Sequence, residues 1–333
     1  MKWKRLVAFG LAVVLGCSLL GGCGKKSRET VERQQVEEDV KEEDAKEESE
    51  KEPEETEVPD DGKFHGKWVV DAEYAKGRVG AEDTVFVDSR GEKQAILGTI
   101  EGAIATVWQD WSVQEGNAGD EKWGCIPEPD ALASILGNLG ITKDKEIILL
   151  GETLEGWGDD SRLLWELLAA GYTDVKMVDG GLSALKEAGA PTQFLASKPQ
   201  PGEVVIDEID YSHVMTTEEL QSNYEKYKIV DVRTDDEYNG AVLYNEAKGG
   251  HLPGAIHIRY TDLFQENGTL KPNKELIQMF EDTGLSKEDS IVTYCTGGIR
   301  SSYVQLVLEM CGFEDSYNYD QSFWRWAVVG EVE

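Results

Sequence analysis

The stretch that most constrains this chain is a short apolar segment that leads through a cysteine and two glycines into a helical segment. Residues 291–294 are typical of a buried strand, and residues 302–311 carry apolar side chains at helical spacing. Cys295 therefore stands between a strand and a helix N-terminus, where backbone amides and the helix dipole favour a thiolate. Arg300 adds a positive charge. The pattern indicates a nucleophilic cysteine in an anion cradle, with a buried structural cysteine as the alternative.

The N-terminus has the features of an export signal. Basic residues are followed by an apolar run over residues 6–20, which is short for a membrane span. The ending Leu20-Gly21-Gly22-Cys23 resembles a bacterial lipobox, which implies cleavage before Cys23 and attachment of a diacylglycerol to its sulfur. We therefore expect residues 1–22 to be a signal peptide and the mature chain to be an exported lipoprotein, anchored to the cell membrane and facing outside the cytoplasm. An uncleaved anchor helix is the alternative.

The segment after Cys23 is strongly acidic. Residues 29–61 contain seventeen Asp or Glu against four Lys or Arg, with almost no large apolar side chain. Such a composition cannot bury enough surface to offset its ordering entropy, so residues 23–62 are predicted to be a disordered spacer. The whole chain has a net charge of −32. No basic stripe is available to neutralise phosphates, which excludes nucleic acid as an expected partner.

The five cysteines have different expected roles. Cys17 leaves with the signal peptide and Cys23 carries the lipid, which leaves Cys125, Cys295 and Cys311. An odd count in an exported protein requires at least one unpaired thiol. Cys311 lies on an apolar helical face and is expected in the core. Cys125 lies in a loop-like context without an evident partner.

The folded region contains a weak internal repeat. The paired segments are 85–90 with 229–233, 98–103 with 250–255, 147–151 with 291–295, 161–171 with 302–312, and 179–185 with 320–326. In both copies continuous apolar strands alternate with amphipathic helices, which is typical of parallel sheets covered by helices on both faces. We therefore predict an α/β chain of two similar domains.

The repeat also sets the expected domain bounds. The first half is assigned to residues 63–197 and the second half to residues 216–333, joined by a Pro- and Gly-containing linker at 198–215. Gly151 stands in the first half where Cys295 stands in the second, so the first half is expected to be catalytically inactive. We expect it to supply packing and one wall of a cleft between the domains.

The second half resembles the tandem-domain sulfurtransferases of the rhodanese type. The matching motifs are Asp231-x-Arg233 with Glu237-Tyr238, the segment Gly250 to Ala255, the loop Cys295 to Ser301, and the ending Tyr319 to Trp326. The resemblance spans about residues 80–330. In the first half it rests on pattern more than on motif, and the Gly-His-Leu-Pro-Gly-Ala motif has lost its His and Pro.

The resemblance implies a mechanism in two steps. The Cys295 thiolate attacks the outer sulfur of thiosulfate, sulfite leaves, and a thiol or cyanide then collects sulfur from the resulting persulfide. The implied binding residues are the amides of Thr296, Gly297, Gly298 and Ile299, together with Arg300, which holds the sulfonate end of the donor or balances the persulfide charge. No cofactor or metal is expected.

Three further matching residues are expected to support the site. Asp231, Arg233 and His251 occupy family positions, and an ion pair at a strand end with hydrogen bonds to loops is their expected role. The remaining histidines show no metal-ligand spacing.

Other functions remain open. The loop resembles that of thiosulfate-using members more than that of 3-mercaptopyruvate-using ones, which usually continue Gly-Val-Thr-Ala. A persulfide carrier that hands sulfur to a redox protein would have the same loop. A cysteine phosphatase is disfavoured because Cys295 to Arg300 is Cys-x4-Arg, one residue shorter than the loop that usually cradles phosphate.

Overall fold

The sequence repeat corresponds to two parallel sheets in the computed structural model of the protein, which describes residues 59–333. The predicted signal peptide, Cys23 and nearly all of the predicted spacer lie outside the described residues. Between residues 59 and 333, no helix is long and apolar enough to cross a membrane.

The first sheet and its helices are built from residues 69–193. Its strands are β1 (Val69–Val70), β2 (Thr84–Asp88), β4 (Ile104–Ala105), β5 (Glu146–Leu150) and β6 (Val175–Val178), with a separate antiparallel pair β3 (Thr99–Ile100) and β7 (Thr192–Gln193). Its helices are α1 (Ala72–Arg78), α2 (Glu92–Ala95), α3 (Pro129–Leu139), α4 (Asp159–Ala169) and α5 (Gly181–Glu187), with a short 3-10 helix at Trp108–Trp111.

The second sheet follows the same plan. Its strands are β8 (Val214–Met215), β9 (Lys228–Asp231), β10 (Ile256–His257), β11 (Ile291–Tyr294) and β12 (Ser316–Tyr319). Its helices are α6 (Thr217–Asn223), α7 (Asp235–Tyr238), α8 (Asn273–Asp282), α9 (Ile299–Met310) and α10 (Ser322–Val329), with 3-10 helices at Tyr224–Lys226 and Tyr260–Leu263. Strand β8 lies within the segment assigned to the linker, so the second sheet begins before residue 216.

The two sheets have the same strand order and register. The orders are β1-β6-β5-β2-β4 and β8-β12-β11-β9-β10, and all these pairs are parallel. Val87 pairs with Ile104 in the first sheet as Val230 pairs with Ile256 in the second. The predicted α/β class with mainly parallel sheets is therefore confirmed. Strands such as β5 are buried along their whole length, as is expected where helices cover both faces of a sheet.

Helices α4 and α9 face each other where the two halves meet. Both helices are buried around nearly their whole circumference, as is expected of helices enclosed between two layers. The Oγ atoms of Ser161 in α4 and Ser302 in α9 lie 3.1 Å apart. These two residues are equivalent in the repeat, so the contact has approximate twofold character.

Polar contacts away from the central helices also join the halves. The amide of Leu270 donates to Asp179 Oδ1 at 2.7 Å. The backbone amide of His65 donates to Asn273 Oδ1, and the side-chain Nδ2 of Asn273 donates to the His65 carbonyl, each at 2.8 Å. The segment that precedes the first sheet therefore crosses onto the second half.

Candidate active site

Cys295 lies directly between β11 and α9, as the sequence predicts. Its side chain is buried, and the Gly298 amide donates a hydrogen bond to Cys295 Sγ at 3.2 Å. Gly298 begins the helix with φ 88°, a left-handed conformation that glycine adopts without a Cβ penalty. The helix N-terminus is thereby turned onto the sulfur, where amide donors and the helix dipole favour negative charge.

The surroundings lower the pKa of the Cys295 thiol. Burial raises this pKa, but the charge of Arg300, the hydroxyl and amide of Ser301 and the amide of Gly297 together outweigh burial, so the pKa lies below its ordinary value. Burial instead raises the pKa of Cys125 and of Cys311 to about 12. All three cysteines of residues 59–333 are unpaired, and Cys311 lies in the core as predicted.

Gly297 has a different reason to be glycine from Gly298. A Cβ at residue 297 would lie 2.2 Å from the indole ring of Trp324. That ring is held in place because Trp324 donates its backbone amide to the Thr296 carbonyl at 2.9 Å and its Nε1–H to the Tyr244 carbonyl at 2.9 Å. The glycine therefore allows an aromatic ring to lie directly against the cysteine loop.

Arg300 is paired with a buried carboxylate that sequence reasoning did not assign to the site. Its two terminal nitrogens donate to the two oxygens of Glu237 at 2.8 and 2.7 Å, and one of them also donates to Thr296 Oγ1 at 2.8 Å. Thr296 Oγ1 donates to Glu237 Oε1 at 2.7 Å. Burial raises the pKa of Glu237, but the hydrogen bonds and charge of Arg300 lower it to about 2. This network braces the loop and balances the charge of Arg300.

Ser301, to which the sequence assigns no chemistry, contacts the sulfur. Its hydroxyl lies 3.6 Å from Cys295 Sγ and 2.6 Å from Asn318 Oδ1, and it is fully buried. A hydroxyl carries one proton, so the sulfur and the Asn318 oxygen compete for it. A serine in the first turn of α9 is thus a candidate for tuning the thiol. The signal in the sequence is its position six residues after the cysteine.

Asp231, Arg233 and His251 form a separate support behind the loop. Arg233 donates to both oxygens of Asp231 and, at 2.7 Å, to the Gly250 carbonyl. The Tyr294 hydroxyl donates to Asp231 Oδ2 at 2.5 Å. His251 is stacked on Tyr238, with ring centroids 3.9 Å apart. These contacts fix the ends of β9 and β11 and the Gly-His-Leu-Pro-Gly-Ala segment.

A small aromatic cavity opens onto Cys295. Its volume is about 150 Å³, and its walls include Cys295, Thr296, Gly297, Ile299 and Arg300 of the cysteine loop. The remaining walls are mainly aromatic rings: Trp108, Trp123, Trp157, Tyr244 and Trp324. Three of these five rings belong to the first half. The cavity thus lies between the halves, and no pattern in the sequence predicts its aromatic wall.

In the matching loop of the first half, the side chain of Asp160 fills the space next to Gly151. Gly151 follows β5 as Cys295 follows β11, and Gly158 begins α4 with φ 75°. A Cβ at Gly151 would lie 2.4 to 2.7 Å from the carboxyl atoms of Asp160. Burial raises the pKa of Asp160 to about 7. A carboxyl group therefore occupies the place where a cysteine side chain would project.

Comparisons with known proteins agree with this architecture. The Rhodanese-like domain family matches residues 71–188 and 216–328. The chain is 25% identical over 275 residues to the thiosulfate sulfurtransferase of Corynebacterium glutamicum, covering 79% of this chain and 88% of that protein. It is 28% identical over 215 residues to the sulfur carrier protein TtuD of Thermus thermophilus, covering 60% of this chain and 75% of that protein.

A solved structure shows the same fold at lower identity. The anaerobic ergothioneine biosynthesis enzyme from Chlorobium limicola, in complex with trimethyl histidine, aligns with a TM-score of 0.68 and 19% identity, covering 80% of this chain and 70% of that chain. With two family matches that coincide with its two parallel sheets, the chain belongs to the family of proteins with rhodanese-like domains.

Proposed function

We propose that this protein is a sulfurtransferase that moves sulfur from thiosulfate to a thiol or cyanide through a persulfide on Cys295. The observation that carries the proposal is the environment of Cys295 Sγ: a buried thiol of lowered pKa at a helix N-terminus, opening onto a cavity. The relatives named thiosulfate sulfurtransferase support the reaction class.

The first step is a displacement at sulfur. The Cys295 thiolate attacks the outer sulfur of thiosulfate, the S–S bond breaks, and sulfite leaves with the electron pair. Charge is conserved, because a thiolate and a dianion become a persulfide anion and sulfite. The Gly298 amide and the Ser301 hydroxyl lie where they can stabilise negative charge at this position before and after transfer.

The second step returns the thiolate. Cyanide attacks the outer sulfur of the persulfide, thiocyanate leaves, and Cys295 regains its electron pair. The first half takes no part as a nucleophile in this proposal, because Gly151 has no side chain and Asp160 fills the corresponding place.

Thiocyanate formation from thiosulfate and cyanide tests the proposal. We expect Cys295→Ser to abolish it and Cys125→Ser to retain it, since the thiol of Cys125 has a raised pKa. Full activity in Cys295→Ser would overturn the proposal. Turnover with 3-mercaptopyruvate but not with thiosulfate would be consistent with a Cys295 persulfide but would show that 3-mercaptopyruvate is the sulfur donor.

A carrier role is the second candidate. The relative named sulfur carrier protein TtuD favours it. In this case the persulfide forms once and persists until a partner protein, such as an oxidoreductase, collects the sulfur. Rapid multiple turnover with small acceptors argues against the carrier role.

We also propose that the protein is exported and attached to the cell membrane through Cys23. The support is the lipobox-like sequence before Cys23 and the acidic segment after it. Incorporation of labelled palmitate into the wild type but not into Cys23→Ser is the expected result. Equal labelling of both would contradict it.

A further inference from the structure

We propose that the sulfur acceptor is a small organic thiol with an uncharged aromatic or apolar body, held by the aromatic rings of the cavity while its sulfur faces Cys295. This inference rests on the proposed persulfide chemistry and names the class of acceptor.

The cavity walls carry the first part of the argument. Trp108 and Trp123 pack edge to face with centroids 5.8 Å apart, and Trp123 packs on Trp324 in the same way at 4.8 Å. Trp157 packs edge to face on Tyr244 at 5.4 Å. The rings thus support one another in fixed positions, which makes a preformed apolar wall that binds flat apolar groups with little loss of entropy.

The size of the cavity fits a single ring. Its volume of about 150 Å³ is comparable to that of engineered apolar cavities that bind benzene. An adjoining cavity of about 180 Å³ shares Trp157, Tyr244 and Arg300 with it and is also lined by Leu154. An aromatic thiol with a short substituent fits this space.

The charges of the site disfavour an acidic acceptor. Among the described residues that line the cavity, Arg300 carries the only cationic side chain, and Glu237 already accepts hydrogen bonds from both of its terminal nitrogens. Arg233 and Arg259, which line the adjoining cavity, are likewise paired with aspartates, so a carboxylate on the acceptor would lose its hydration without gaining a free cation.

Apolar side chains also lie on the surface beside the cavity, next to the arginines that line the adjoining cavity. Leu154 is 42% exposed and Trp157 is 46% exposed, and both line the adjoining cavity. Val242 and Leu243, which precede Tyr244 in the chain, are about half exposed. Exposed apolar side chains grouped at the edge of a cavity are typical of a binding site for an apolar group.

The transfer step balances without an added oxidant. The acceptor thiol gives its proton to the persulfide anion, the resulting thiolate R–S⁻ attacks the outer sulfur, and the bond between that sulfur and Cys295 Sγ breaks. The electron pair returns to Sγ, the proton stays on the transferred sulfur, and the product is R–S–SH. The regenerated Cys295 thiolate is the form that the loop favours.

The experiment separates the two half-reactions. The full-length protein is first persulfidated with thiosulfate, excess donor is removed, and the loss of persulfide is followed with benzyl mercaptan, 2-mercaptoethanol, 3-mercaptopropionate or thiocholine. We expect benzyl mercaptan to react about tenfold faster per thiolate than 2-mercaptoethanol at low concentration, and 3-mercaptopropionate to be slowest.

Variants assign the preference to the rings. We expect Trp157→Leu to lower the ratio of the benzyl mercaptan rate to the 2-mercaptoethanol rate. Trp68→Leu, which removes a tryptophan outside the cavity lining, is expected to leave the ratio unchanged. Trp123→Leu is a second test in the same direction.

Several results would overturn the inference. Equal rates per thiolate, fastest reaction with the carboxylated thiol, or an unchanged ratio in both cavity variants would each contradict an apolar acceptor. Fastest reaction with thiocholine would show that the aromatic rings bind an organic cation instead of an uncharged acceptor. Failure of the persulfide to form at all would overturn the proposed function and this inference with it.

Discussion

At the scale of single residues, the thiol is controlled by groups that bring their charge and donors to a buried sulfur. Burial raises the pKa of Cys295, and Arg300, Ser301 and the amides of the loop lower it below its ordinary value. Arg300 in turn is compensated by Glu237. The cysteine loop is thus one member of a connected polar cluster.

Ser301→Ala should move the pH profile of persulfide formation. The Ser301 hydroxyl lowers the pKa of Cys295, so its loss raises that pKa and shifts the rising limb of the rate to higher pH. Single-turnover rates with thiosulfate across pH 5 to 10 measure the shift. Ser290→Ala, which removes a hydroxyl that precedes β11 and donates to Asp315 instead of contacting the sulfur, is the control. An unchanged midpoint of the pH profile in Ser301→Ala would show that the hydroxyl donates to Asn318 and does not lower the pKa of Cys295.

Glu237→Gln should destabilise the protein strongly. The substitution leaves the buried guanidinium of Arg300 without its anion, which costs about 3–5 kcal/mol in the free energy of unfolding. The Arg259–Asp262 pair is more exposed, so Asp262→Asn should cost about 1 kcal/mol or less. Urea unfolding of both variants measures the difference. Similar losses in the two variants would contradict a structural role for the buried pair.

At the scale of secondary-structure elements, the two strand–loop–helix units have diverged within one geometry. Strand β5 leads to α4 as β11 leads to α9, but the first loop is longer and ends with Asp160 folded back over Gly151. A carboxyl group that is fully buried without a cation costs free energy when ionised. The free energy of unfolding is therefore expected to depend on pH through Asp160.

Asp160→Asn tests that dependence. Burial raises the folded-state pKa of Asp160 to about 7, above the unfolded value of about 4. The unfolded state therefore loses its proton first, and wild-type stability falls as pH rises from about 4 to about 7. We expect Asp160→Asn to gain stability relative to wild type across this window, by about 2–4 kcal/mol at pH 8. Chemical unfolding at several pH values measures it.

A charge-matched control isolates the burial effect. Glu101→Gln removes the same charge from an exposed turn and should change stability by about 0.5 kcal/mol or less at every pH. An Asp160→Asn variant that followed the pH dependence of the wild type would contradict the raised pKa.

The elements show what the sequence could and could not predict. The strand before Cys295 and the helix after it follow from the change in apolar spacing, so the cysteine loop and the α/β class were predictable. Strands β1, β4, β8 and β10 have two residues each, too few for a periodic signal. Glu237 meets Arg300 through a tertiary contact across 63 positions, and the tryptophans of the first half reach the cavity only through domain packing.

At the scale of the whole molecule, the half that has Gly151 in place of the active cysteine contacts the active loop of the other half. Arg162 of α4 donates to Glu166 Oε1 at 2.6 Å and lies 2.7 Å from Asp320 Oδ1. Its Nη1 lies 3.5 Å from the carbonyl oxygen of Gly298, the residue whose amide donates to Cys295 Sγ. The guanidinium thus links the first half to the cysteine loop.

Arg162→Lys should impair catalysis more than an equivalent change elsewhere. A lysine keeps the charge but cannot reproduce the planar fork that spans Glu166, Asp320 and the loop carbonyl. We expect single-turnover persulfide formation to fall about tenfold, with a lowered Tm. Arg78→Lys, in an ion-pair cluster at the far end of the first sheet, should keep the wild-type rate. Equal rates in the two variants would contradict coupling between the halves.

The central claim is that Cys295 carries the sulfur, and the mass of the protein after thiosulfate treatment tests it most directly. We expect an adduct of about 32 Da on the peptide that contains Cys295, removed by cyanide. It should persist in Cys125→Ser and be absent in Cys295→Ser. An adduct on Cys125 or Cys311, or no adduct with any sulfur donor, would contradict the account.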